Sequence, residues 1–163
     1  MRSDDRTALR NRFDFRCGYC GVSETDVGAE LTVDHFQPGS RGGLDELANW
    51  VYCCHACHEF KGDYWEPESP RRILHPLRDE RSQHHREGDD GTLIPLTETG
   101  TFHIENLRLN RSALLAHRRE SHLLQAARQS QVILLERLAE LGDQLQALSD
   151  RLRQIENETT SEE

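Results

Sequence analysis

Two pairs of cysteines constrain this chain more than any other feature. Two residues separate Cys17 from Cys20 and Cys54 from Cys57, and 33 residues lie between the pairs. Each pair sits in a short segment, Cys17-Gly18-Tyr19-Cys20-Gly21 and Cys54-His55-Ala56-Cys57, that can turn two thiolates toward one point. Zinc takes four such ligands at tetrahedral corners. A redox pair or two disulfides would use the same residues. Two knuckles in one small zone behind no secretory leader favour structural zinc. The fifth cysteine, Cys53, adjoins the second knuckle at a strand end and reads as a small buried hydrophobe.

Zinc also answers a question of composition. The chain has 163 residues, of which 35% are hydrophobic and only 6% aromatic, too few for a large conventional core. A four-thiolate site supplies the missing stability. No apolar stretch approaches membrane length. Met1-Arg2-Ser3-Asp4-Asp5 is followed by no apolar run, so a cytoplasmic location is expected. The net charge of −9 argues, taken alone, against a nucleic-acid binder. It is unevenly spread: the acid excess is largest beyond residue 122, at −4, whereas the first sixteen residues carry 5 Arg against 3 Asp. Screening confines distant charge to about 8–10 Å, so a local arginine cluster can still hold phosphate.

The pattern along the chain predicts an α+β protein in four parts. Residues 1–64 hold all five cysteines and read as helix, knuckle, strand (Leu31–Val33), loop (Gln37–Gly43), strand (Trp50–Cys53) and a short helix from His55 to Lys61 ending at Gly62. Residues 65–111 form a connecting extension with a short strand pair, including Thr92–Thr97. There Glu98-Thr99-Gly100 reads as a turn, and Thr101 as the cap of a helix from about His103. Residues 112–156 contain no Pro and one Gly, and predict one long helix. In it Leu134, Leu138, Leu141, Leu145, Leu148, Leu152 and Ile155 alternate by four and three, a coiled-coil seam. Residues 157–163 read as a disordered acidic tail.

Between the knuckles stand Asp34-His35 at the end of the first strand, Asn49 at the start of the second and His58 on the following helix. In this order, with Leu31-Thr32-Val33 before them and Cys57-His58-Glu59-Phe60-Lys61-Gly62 at the end, residues 16–62 resemble the zinc-containing HNH endonucleases, the ββα-metal nucleases. Many members have Asn where this chain has His58, the residue that gives the motif its third letter. Residues 71–119, with His75-Pro76-Leu77-Arg78-Asp79 and Leu107-Arg108-Leu109-Asn110-Arg111, are similar to an extension found in a bacterial subset.

The resemblance implies a metal-dependent endonuclease that hydrolyses DNA phosphodiester bonds. It makes His35 the general base, a role suited to an imidazole near neutral pH. Asp34 and His58 would hold a catalytic Mg²⁺ or Mn²⁺, and Asn49 would brace the loop and orient His35. Adjacent strand residues face opposite sides, so Asp34 and His35 share a site only if the strand breaks there, which the Gln37-Pro38-Gly39 loop would allow. Arg41 and Lys61 flank the site as phosphate-binding residues, with Arg10, Arg12 and Arg16 extending the patch. His55 reads as a surface residue, and His75, His84, His85 and His103 lack the spacing of a further metal site. The 134–155 helix predicts a homodimer or a protein partner; family analogy suggests an ATPase in a phage-defence or mobile-element setting. The alternative function is a non-catalytic zinc and coiled-coil adaptor acting through protein partners.

Overall fold

A computed structural model describes the backbone of residues 3–160 and the side chains of residues 3–153. The elements follow in the order α1 (Ser3–Arg12), α2 (Glu24–Val27), β1 (Thr32–His35), β2 (Trp50–Cys53), α3 (His55–Lys61), β3 (His85–Glu87), β4 (Leu93–Pro95), α4 (Glu98–Asn106) and α5 (Ser112–Thr160). The fold is α+β: two separate antiparallel hairpins, β1–β2 and β3–β4, among helices.

The β1–β2 hairpin carries the site. Thr32 pairs with Cys53, Asp34 with Val51 and His35 with Trp50. Every residue of β2 is buried, as its continuous Trp-Val-Tyr-Cys run requires. The ladder does not break at Asp34. It runs on beyond His35, because Phe36 N–H donates to Asn49 O at 2.8 Å. The strand break that would place Asp34 and His35 on one side is therefore absent, and the pleat separates them.

Leu9, Trp50 and Val51 from the cysteine-rich zone share one core with Ile73, Ile104, Leu107 and Leu114 from the extension and the start of α5. The expected boundary at residue 64 accordingly does not separate two bodies; the first compact unit ends at Arg119, and the second begins at Glu120. α4 starts earlier than expected. Thr97, not Thr101, caps it, its hydroxyl accepting from Gly100 N, so Glu98-Thr99-Gly100 is the first helical turn. Glycine is required there because a Cβ on Gly100 would lie 1.9 Å from His84 O, where β3 approaches.

α5 is a single helix across 49 residues. It continues through Thr160, so residues 157–160 of the expected tail extend the helix, there being no Gly or Pro after Gly142 to stop it; residues 161–163 lie outside the described residues. In the second unit Leu134, Leu138, Leu141, Leu145, Leu148 and Leu152 are 43–68% exposed. Among the described residues no helix is long and apolar enough to cross a membrane.

Candidate functional site

The four knuckle cysteines converge. Their sulfurs all lie within 4.8 Å of one another, and no described cysteine is in a disulfide. A tetrahedral zinc with bonds of about 2.3 Å sets neighbouring sulfurs about 3.8 Å apart; Cys20 Sγ and Cys54 Sγ are 3.7 Å apart. The donor set therefore fits a structural zinc. From outside the knuckles, Arg111 Nη2 approaches Cys54 Sγ and Cys57 Sγ at 3.9 Å each, a cation placed against thiolate charge. Arg81 donates to Gly18 O and Tyr19 O and so pins the first knuckle's backbone. Both arginines come from the extension. Cys53 is fully buried, and burial with Asp34 nearby pushes its thiol well up, as suits a neutral packing residue.

Tyr19, inside the first knuckle, reaches the functional residues directly. Its hydroxyl donates to Asp34 Oδ2 at 2.6 Å, and both side chains are buried. Burial first, and Asp34 second, push the Tyr19 phenol up, so it remains a donor. Lys61 Nζ holds the same carboxylate at 3.1 Å and also donates to His35 O at 2.9 Å. Lys61 is 2% exposed. This corrects its expected role: the ammonium is not open to a phosphate, because α3 turns it inward onto Asp34. His58, one turn earlier on α3 and 39% exposed, places Nε2 3.7 Å from Asp34 Oδ1.

His35 faces away from this group. Its Nε2 is 2.9 Å from Asp45 Oδ1, and Trp50 Nε1–H donates to the same carboxylate oxygen at 3.0 Å. An unprotonated Nε2 facing a carboxylate would be repelled. The tautomer that donates Nε2–H to Asp45 leaves Nδ1 as the accepting nitrogen; Trp50 Nε1, which also lies 3.2 Å from Nε2, then donates to Asp45 alone. The hydrogen bond from His35 holds Asp45 below the ordinary carboxylate range. Sequence reading passed over Asp45, ten residues from His35 in a polar loop that carries no motif.

Asn49 ties the loop between the strands. Its Nδ2 donates to Gln37 O and Leu44 O, and its Oδ1 accepts from Gln37 N, each at 2.9 Å. Gly43 permits this, since a Cβ there would lie 1.8 Å from Gln37 O. Arg41, in the same loop, is exposed. Of the other arginines, Arg10 is committed to Glu24 through two hydrogen bonds of 2.8 Å, Arg12 donates to Leu47 O and Arg16 to Gly21 O. Arg10 is thus a structural residue rather than part of an open patch. His75 and His103 are buried, His85 is half-buried, and no metal cluster forms among them within the described residues.

A knuckle pair, a β-hairpin carrying Asp34-His35 and Asn49, and a helix carrying His58 follow one another in space as they do in sequence. The family model for HNH endonucleases matches residues 17–64. Residues 17–64 are an HNH domain. Its four cysteines are positioned to bind a metal ion, as the zinc type requires, and the match points to nuclease activity in general. No curated protein and no solved structure matches the chain.

Proposed function

We propose that the HNH domain hydrolyses DNA phosphodiester bonds with the help of a divalent cation. The observation that carries this reading is the pairing of Asp34 and His58 at 3.7 Å on the same zinc-stapled hairpin and helix that carry, on the other side of the strand, the His35–Asp45 pair. Asp34 retains lone pairs toward His58 after accepting from Tyr19 and Lys61, since a carboxylate offers about four acceptor sites. One carboxylate and one imidazole, completed by water and phosphate, suit Mg²⁺ or Mn²⁺. Such a cation would supply Lewis-acid stabilisation of the leaving 3′ oxygen.

The chain's own groups do the rest. His35 Nδ1 takes the proton of the attacking water as the new P–O bond forms, and Asp45 holds the ring and its developing charge. Asn49 keeps the loop, and thus Asp45, in register with His35. Arg41 meets the phosphate from the exposed side of the loop. The products are a 5′-phosphate and a 3′-hydroxyl. Leucines exposed along α5 support pairing of two chains, or of one chain with a partner protein, through the 134–155 seam.

Plasmid cleavage with Mg²⁺ or Mn²⁺ tests the reading. His35→Ala is expected to lose activity by several orders of magnitude while keeping its zinc; equal cleavage by both proteins would overturn it. The adaptor alternative draws on the Lys61 ammonium seated on Asp34. It predicts no divalent-ion binding beyond the zinc, which titration with Mn²⁺ would show.

A further inference from the structure

Beside the hairpin lies a cavity of about 200 Å³ that the proposed hydrolysis does not use. Phe36, the residue after His35, forms one wall, and Trp65 and His75 meet its ring edge-on at centroid distances of 5.5 and 4.4 Å. Arg72, bound to Asp79 by two hydrogen bonds of 2.7 and 2.8 Å, also lines it. A second depression, of about 290 Å³, shares Phe36, Trp65, His75 and Arg78 with the first and reaches Asn49. The cleft therefore borders the loop that positions His35. Phe36 is held by the sheet ladder through its hydrogen bond to Asn49 O, so this wall is preformed.

The chemistry of the cleft is specific. At about 200 Å³ it is smaller than the ~300–1,000 Å³ of sites for drug-sized molecules, and admits a single planar ring system. Its aromatic walls offer π-faces, and charges of both signs line it: Arg72 is paired with Asp79, Glu66 is a further lining residue, and Arg78 stands near His75. That ring is held at about 4, first by burial and then by Arg78, with Arg12 and Arg81 acting the same way. His75 is therefore neutral at pH 7. Its Nδ1 accepts from Leu77 N, which places the proton on Nε2, a buried donor with no partner among the described residues. Arg78 is exposed and uses one nitrogen on Ala48 O, leaving other N–H groups for a phosphate.

We propose that this cleft receives one unstacked nucleobase of the substrate strand as the strand passes the loop tied by Asn49. This rests on the reading of residues 17–64 as a DNA-cleaving domain. A planar base lies against Trp65 and Phe36, and Arg78 meets the adjoining phosphate. Bases in a duplex are stacked and paired, and releasing one costs a few kcal/mol. The preferred substrate is therefore DNA with an unpaired nucleotide: single-stranded, gapped or mismatched. The exposed Arg78 at its rim and its contact with the loop tied by Asn49 favour this occupant over an aromatic side chain of a partner protein.

The test is binding of the full-length, zinc-loaded His35→Ala protein to single-stranded oligonucleotides carrying one abasic nucleotide, moved along the strand. The expected result is a loss of about tenfold in affinity at one position only, abolished in His35→Ala/Trp65→Leu and reduced in His35→Ala/Arg78→Ala. Equal affinity at every position, or a positional effect that survives removal of Trp65, would overturn the proposal and leave the cleft to a protein partner. The Arg78 variant keeps the test open should the Trp65 variant fail to fold. Cleavage by the unmutated protein is measured in parallel. Cleavage with no positional effect removes the base slot alone; a positional effect without cleavage removes the nuclease reading alone.

Discussion

Asp34 is buried at 3% exposure, and Tyr19 and Lys61 both hold it. Removing the Tyr19 hydroxyl leaves a buried carboxylate short of a donor. Hydrogen bonds to charged groups contribute about 1.5–3 kcal/mol, so Tyr19→Phe is expected to lower the unfolding free energy by about 2 kcal/mol. Urea unfolding of zinc-loaded protein measures this; an unchanged midpoint would show that Lys61 alone holds Asp34. In the proposed reaction Asp45 acts on chemistry rather than stability. Asp45→Asn lets the amide donate to His35 and so reverses the tautomer, with an expected drop in kcat of about ten- to a hundredfold. Zinc content and DNA affinity should stay the same, and a change confined to KM would assign Asp45 to substrate binding instead. His75 gives a pH dependence of known sign. Its folded value of about 4 lies below the ordinary 6.5, so between these pH values only the unfolded chain is protonated there. Stability is full above about 6.5 and falls as pH drops toward 4. At pH 5.5, His75→Asn should take up nearly one proton fewer on unfolding than the unmutated chain; zinc release is common to both proteins and cancels.

At the scale of elements, the extension and the zinc frame support each other. Arg111, just before α5, lies 3.9 Å from two of the sulfurs, and Arg81 pins the first knuckle. Residues that orient metal ligands from outside typically change metal affinity about ten- to a hundredfold. Arg111→Gln is expected to release zinc to a chelator correspondingly faster, without loss of α5 helicity. Much of this architecture was legible in the chain. Trp50–Cys53 and His55–Lys61 form where their composition predicts, because an unbroken apolar run and a helix closed by Gly62 are local signals. α4 begins five residues before the position its sequence predicts. Its first turn contains Gly100, which reads as a turn until the His84 backbone is seen lying against it. Likewise Asp34 and His35 were expected on one side, and the ladder through Phe36 keeps them apart.

At the scale of the whole molecule, α5 presents leucines that a single chain leaves 43–68% exposed. Long helices in water gain their stability from packing an apolar face, and a four-three leucine repeat packs best against another such repeat. Light scattering is expected to give about twice the 18.8 kDa chain mass, and Leu141→Asp to return it to one. A single-chain mass for the unmutated protein would direct the seam to a different partner. A pair of chains would also suit the charge. With a net −9, each chain has little general attraction for DNA, and two linked domains gain by effective concentration.

What the sequence by itself determined is what spacing and period encode: four zinc ligands in two knuckles, the Asp34-His35, Asn49 and His58 order of an HNH domain, and one long helix with a leucine seam. The tertiary structure alone decided which partners those residues take. Lys61 on Asp34, Asp45 on His35 and Arg111 on the sulfurs join positions 27, 10 and 54–57 residues apart. No local pattern marks such pairs. They follow from burial, because a charge enclosed by the fold must find its counter-charge within reach, and only packing settles which residue that is.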